Sequence, residues 1–308
     1  MAFNPNKNDL ALLASIVEHK VLTVGQLSAL SQRSRQVVRR RLRILESEGI
    51  IVAKEGGYGR SRGRPESLIF LTKDGAMLLK DKGILSNNVA CTTNQTVDSI
   101  FVSHELLINW FRIHLIQMER VIPQLSVNYL SPGFQSLART KGGRPPLLER
   151  IRIIKSQKEF IEFIPDGVFS ITNEKISKTL LFFLEVDRGT EIIASMDRGP
   201  KDIRQKILNF QALFHSSHYK RYEHIFNSIL NGFRLLFLTN TASRLATLSR
   251  LVKEMPPSDF IWLTDQESMF THGVSAEIWT RGGRYDDPRR SILGPKLACE
   301  TPVLALIS

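Results

Sequence analysis

Apolar side chains recur at helical spacing three times in the first fifty residues. Leu10, Leu13 and Ile16 share one face of a stretch over Asp9–His19, with Asn8 as a candidate N-cap. Thr23 and Gln26 stand at capping-box spacing and open a second predicted helix through Leu30. Ser34 caps a third that runs to about Glu48, where Val38, Leu42 and Leu45 fall at i, i+4 and i+7 as a buried stripe. Gly49 follows as the residue that stops it. The pattern then turns extended. Ile50–Lys54 and Leu68–Leu71 are predicted strands, separated by GGYGRSRGRPES, and Thr72 begins a helix through Lys82.

Residues 83–96 are polar and turn-like, and 86–96 serve as the expected interdomain linker. A long helical pattern covers Val97 to about Arg120, and Ala138–Pro146 (ARTKGGRPP) is a basic loop. Glu162–Ile171 and Thr179–Val186 are apolar enough for adjacent strands. Pro200–His215 is a helix with proline at its start, which Tyr222–Leu230 extends. Phe233–Leu238 and Phe260–Thr264 are strands on either side of a helix over Ala242–Glu254. The tail after Arg281 is loop or extended edge. Alternating strands and helices predict parallel crossovers and an α/β domain. Two domains result, 1–85 and 97–308.

Composition sharpens this picture. The chain has 308 residues and a formal net charge of +12, which favours polyanionic partners. Residues 1–90 carry 15 Lys and Arg against 8 Asp and Glu, more than half of that excess. Two cysteines, Cys91 and Cys299, build no disulfide framework and no CxxC zinc site, so a reducing cytoplasm is the expected compartment. The N-terminal segment lacks the basic and apolar regions of a signal peptide. No run of about 18 apolar residues suggests a membrane span.

Off the apolar stripe of the third helix lie Arg35, Gln36, Arg39, Arg40 and Arg43. A helix fits the DNA major groove, where Arg and Gln make bidentate bonds to guanine and adenine edges. Arg35, Gln36, Arg39 and Arg40 are assigned to the groove, and Arg41 and Arg43 to DNA backbone or solvent. The hairpin tip places Arg60, Arg62 and Arg64 among glycines, where they reach phosphates or the minor groove. The string VVRRRLRILESEGII…RGRPESLIFLTKDG resembles winged-helix regulators such as the MarR and GntR groups, whose second strand commonly runs into a Leu-Thr-x-x-Gly helix start. The resemblance covers residues 8–82.

Further on, Pro165-Asp166-Gly167 and Glu185-Val186-Asp187-Arg188-Gly189-Thr190-Glu191 stand out. Period-two alternation puts Glu185 and Asp187 on one strand face. If a neighbouring strand brings Asp166 alongside, three oxygen ligands suit Mg²⁺ or Mn²⁺. The bland alternative is an ion network of the acids with Arg188 and Lys201. The pattern resembles the PD-(D/E)xK nuclease superfamily, with Asp187 where lysine is usual and Lys206 or Lys201 as substitutes from the next helix. Over nearly the whole chain, the winged helix, Val102-Ser103-His104-Glu105-Leu106…Asn109, the Pro-Asp pair and EVDRGTE resemble the replication-relaxation family, which includes MobC-type relaxases.

That resemblance implies an α+β protein, with an N-terminal winged helix-turn-helix and a C-terminal α/β PD-(D/E)xK restriction-endonuclease-like domain. It implies binding and nicking of plasmid or integrated-element DNA at an origin, in mobilisation or replication. Asp166, Glu185, Asp187, Lys206 and Glu105 are its candidate catalytic residues, the first three carboxylates its metal ligands. Double-stranded DNA is the expected partner, with other mobilisation or replication proteins and a second copy of the chain as candidates, and no membrane. The alternative is a non-catalytic winged-helix regulator whose degenerate nuclease fold serves dimerisation or docking. Tyr219 and Tyr222 raise a tyrosine-nucleophile mechanism, but no His cluster accompanies them.

Overall fold

The computed structural model describes residues 4–56, 66–85, 99–130, 149–152, 160–189, 191, 193 and 202–303. The hairpin tip with Arg60, Arg62 and Arg64, the linker 86–96, the basic loop 138–146 and Lys201 lie outside them. The chain is mixed α/β and divides into two compact units, with the division inside one helix at Ile113/His114. No helix among the described residues is long and apolar enough to cross a membrane.

The first unit begins with α1 (Lys7–His19), capped two residues earlier than the sequence suggests. Asn6 and Asp9 form its capping box, each side chain accepting from the other residue's backbone amide. Strand β1 (Leu22–Thr23) leads into α2 (Val24–Ser31), which has the Thr23/Gln26 capping box. Helix α3 (Arg35–Ser47) is capped by Ser34, and Gly49 takes φ 70° behind it. Strands β2 (Ile51–Glu55) and β3 (Ser67–Leu71) pair antiparallel, and β1 adds to the other side of β3. Thr72 caps α4 (Lys73–Asp81). Leu13, Ile16, Leu27, Val38, Leu42, Leu45, Ile69 and Leu79 form the core under the sheet. Val21, Leu68 and Phe70 cover another cluster with Val102 and Leu106 of α5 (Ser99–Val121).

Polar groups on α5 anchor it to the α1–β1 junction. The Asn109 amide donates to the carbonyls of His19 (3.0 Å) and Val21 (2.7 Å), and Gln26 donates to Leu106 O (2.8 Å). Arg112 donates to the Glu18 carbonyl at 3.1 Å. Lys20, at φ 64°, pairs with Glu105 at 3.1 Å. Glu105 and Asn109 of the His104-Glu105…Asn109 string thus make their contacts within the first unit, and Glu105, expected near the catalytic acids, pairs with Lys20 in this latch.

The second unit is built on a six-stranded sheet, with β4 (Leu125–Leu130), β7 (Gly167–Asn173), β8 (Lys178–Asp187), β9 (Phe233–Thr239), β10 (Ile261–Asp265) and β11 (Thr280–Arg281) as neighbours in that order. The β4–β7–β8 side is antiparallel, β8–β9–β10 parallel, and β11 antiparallel at the far edge. A separate pair joins β5 (Glu149–Arg152) to β6 (Phe160–Phe163). Where one strand was expected over Glu162–Ile171, Ile164 and Pro165 interrupt it. Proline has no N–H for a ladder, so β6 ends there and β7 restarts at Gly167. The helix expected from Pro200 begins at Ile203 as α6 (Ile203–His215), capped by Asp202. Its expected extension is a 3-10 turn at His218–Lys220 followed by α7 (Arg221–Phe226).

The crossover from β9 to β10 is α8 (Ala242–Lys253), and α9 (Gln266–His272) connects β10 to the antiparallel β11. Leu181 and Phe183 of β8 pack with Ile207 and Phe210 of α6 and with Leu248 of α8. Strand alternation then carries Glu185 and Asp187 onto this same helix-covered face.

Candidate functional site

Two sites are built from these elements. The first is the outer face of α3. At about 100° per residue, Gln36, Arg39, Arg40 and Arg43 fall within one sector, opposite the buried Val38, Leu42 and Leu45. All four are exposed, and the three arginines have no acidic partner among the described residues. Such a row can reach phosphates and base edges together. Two other arginines are engaged. Arg41, expected at DNA backbone or in solvent, forks onto the wholly buried Asp9 carboxylate, with Nε at 2.8 Å and Nη2 at 2.5 Å. Arg35 is half-buried and lies 3.4 Å from the Glu66 carboxylate.

The second site lies at the β7–β8 hairpin and the start of α6. Gly167 opens β7 because a Cβ there would stand 2.1 Å from the Tyr129 hydroxyl oxygen. The preceding Asp166 accepts the Val186 amide at 2.8 Å, which lays its carboxylate across β8 between Glu185 and Asp187. Lys206, one turn into α6, donates to Glu185 Oε2 and to Glu191 Oε1, each at 2.9 Å. Glu185 is buried, and burial pushes its carboxyl up to about 7; Lys206 opposes the rise, while Asp166 and Glu191 add to it. Burial alone would lower the Lys206 ammonium. The charges of Glu185, Asp166 and Glu191 outweigh that and hold it above the ordinary lysine range.

Asp187, expected as the third ligand, points elsewhere. Arg244 of α8 meets its carboxylate with Nε at 2.5 Å and Nη2 at 3.2 Å, and the Gly189 amide donates to it at 2.9 Å. Arg244 also donates to the Glu191 carbonyl at 2.6 Å, fastening the turn after β8. Among the described residues, no three His, Cys, Asp or Glu stand together as a metal-holding group. The structure thus brings Asp166, Glu185 and Lys206 together, adds Glu191, and turns Asp187 into an ion pair. Glu191 was already within the EVDRGTE string. Nothing in the local sequence marks Arg244, which comes from 57 residues beyond Asp187.

The tyrosines are structural. Tyr222 is buried and donates to Glu149 Oε1 at 2.5 Å, beside Arg221 at 2.9 Å from the same oxygen. Burial and the Glu149 charge push the Tyr222 phenol well above the usual range, the reverse of what a nucleophile needs. Tyr219 packs in the core with Phe214 and Phe233.

No curated protein and no solved structure matches the chain. The family model described as replication-relaxation matches residues 13–229, which include the α3 arginine face and Asp166, Glu185 and Lys206; β9, α8 and Arg244 lie past its end. With that match running over more than two thirds of its length, the chain belongs to the replication-relaxation family.

Proposed function

We propose that this protein binds double-stranded DNA through a winged helix-turn-helix formed by α2, α3 and the β2–β3 hairpin. In this reading it acts at an origin of a plasmid or integrated element, in replication or mobilisation. The observation that carries the reading is the arginine face of α3, opposite the core and without acidic partners among the described residues. A helix of this kind lies in the major groove, with Gln36 and the arginines divided between bases and phosphates. Affinity then falls steeply with salt as counterions are released. The test is a mobility-shift titration of the full chain on origin-containing DNA over a range of salt. An R39A/R40A variant that binds as well as the parent would overturn the reading.

The second unit is proposed as a PD-(D/E)xK-like core that nicks this DNA, with Asp166, Glu185 and Lys206 as its working residues. Three carboxylates share one ammonium here, an excess of negative charge that suits a divalent cation. Asp166 and Glu185 would hold it, in keeping with the preference of Mg²⁺ for one or two carboxylates plus water and phosphate. Such a cation activates water and stabilises charge on a phosphate under attack. Lys206 keeps Glu185 oriented and offers its remaining N–H bonds to a phosphate oxygen. Asp187 fixes the turn through Arg244 and touches no substrate.

One observation favours a non-catalytic regulator instead: Lys206 is already held by two acids. Magnesium-dependent relaxation of a supercoiled plasmid carrying the origin separates the two. Nicking by the wild type that is lost in D166N and E185Q, with DNA binding intact, supports the nuclease; binding without nicking supports the regulator.

A further inference from the structure

Arg35 and Glu66 meet where α3 approaches the base of the β2–β3 hairpin. Arg35 is the first residue of α3, and Glu66 immediately precedes β3. Their closest approach, Arg35 Nη1 to Glu66 Oε1, is 3.4 Å, with 39% and 24% of the side chains exposed. Both pass over the first turn of α2 at Gly25. A Cβ there would lie 3.1 Å from each Glu66 carboxylate oxygen and 3.2 Å from Arg35 Nη2, so glycine leaves the room in which the pair sits. The amino end of α2 also carries partial positive charge, which favours a carboxylate at this spot.

Around the α3 axis, Arg35 lies between the buried stripe and the sector of Gln36, Arg39, Arg40 and Arg43. Its guanidinium is therefore held from one side, unlike the three arginines without acidic partners. A guanidinium reads guanine O6 and N7 through one edge of its fork, and a carboxylate on another edge restricts the rotation that ordering otherwise costs. A carboxylate beside DNA also repels phosphate, so the pair gains nothing as a backbone anchor.

Resting on the DNA-binding reading above, we infer that Glu66 is a positioning residue that holds Arg35 to read a single guanine, making Arg35 a specificity determinant rather than a phosphate contact. The surface would thus be divided, with Arg35 buttressed for one base pair and Arg39, Arg40 and Arg43 left to settle on bases and phosphates as the groove allows.

The test selects binding sites from random duplex DNA with the full-length wild type, then measures affinities for all single-base variants of the selected site. The measurement is repeated with E66Q, R35K and R35A. The expected result is that discrimination at one G·C pair falls in E66Q and R35K by roughly 5- to 150-fold, the range of a bidentate contact. Other positions keep their profile, and affinity for unrelated DNA stays level or rises in E66Q. R35K retains the charge, so its salt dependence matches the wild type while the base preference is lost. R35A/E66Q should lose no more discrimination than R35A alone. An unchanged base profile in E66Q, or a uniform loss across all sequences, overturns the inference and leaves DNA binding standing. Failure of the wild type to enrich any duplex would sink the DNA-binding reading itself, and the inference with it. Matching thermal unfolding of E66Q, R35K and wild type shows that folding is not the cause.

Discussion

Arg40 and Arg41 are adjacent in sequence, both arginine, and opposite in role, which makes them a sharp test of the α3 geometry. Replacing Arg41 by Ala leaves the Asp9 carboxylate, wholly buried, with the Asn6 amide at 3.0 Å and no cation. Removing one partner of a buried ion pair costs about 3–5 kcal/mol. Arg41 is 24% exposed, so water can reach part of the vacated space and the lower end applies, about 3 kcal/mol. Replacing Arg40, exposed and without an acidic partner among the described residues, should change stability by less than about 0.5 kcal/mol. Urea unfolding of both variants at neutral pH measures the difference, and mobility shifts at matched folded concentrations measure the other half. R40A should weaken DNA binding while R41A, where folded, should not. The combined D9N/R41M variant should be less damaged than the sum of its parts, because neither partner then leaves a buried charge unpaired. If R41A unfolds at the same urea concentration as R40A, the buried pair does not stabilise the fold, and the division of arginines on α3 is wrong.

The cluster on β8 predicts a pH signature. Glu185 takes up its proton more readily folded, near 7, than unfolded, near 4.5, so its contribution to stability is lost as pH rises through that window. In metal-free protein, unfolding between pH 5 and 8 should show a decline, up to about 1.4 kcal/mol per pH unit, that E185Q flattens; an identical slope in both proteins argues against the burial of that carboxyl. N109A frees two buried carbonyls and should cost about 2 kcal/mol in chemical denaturation without changing affinity for DNA per folded molecule, and a fully stable N109A would deny α5 its latch. Y222F removes the hydroxyl bound to Glu149 and should lower stability by about 1–2 kcal/mol while retaining nicking, so a folded Y222F that binds DNA but cannot nick would revive a tyrosine nucleophile.

Much of this protein was legible because local rules govern the relevant segments. The caps at Thr23, Ser34 and Thr72 and the stripe Val38-Leu42-Leu45 are short-range signals, and each appears in the structure as the spacing suggests. The shared face of Glu185 and Asp187 follows from strand alternation alone. What spacing could not supply is partner choice across long separations. Asp187 is claimed by Arg244, Arg41 by Asp9, and Glu105 by Lys20, each contact set by tertiary packing. The short β4 and α9 leave no clear mark in the sequence pattern. Six residues of mixed polarity and a seven-residue helix carry too few periodic positions to stand out.

The order of strands has a consequence for where this chain can be divided. The family match ends at residue 229, yet β8 is hydrogen-bonded in parallel to β9 from Leu181 through Asp187, and β9 begins at Phe233. A chain cut at residue 229 would turn β8, buried from Leu181 through Asp187, into an open edge, with a row of unpaired amides and carbonyls free to recruit another molecule. It would also leave Asp187 buried without Arg244. The matched segment is therefore not a self-sufficient folding unit here, because its strand β8 is completed by residues beyond it.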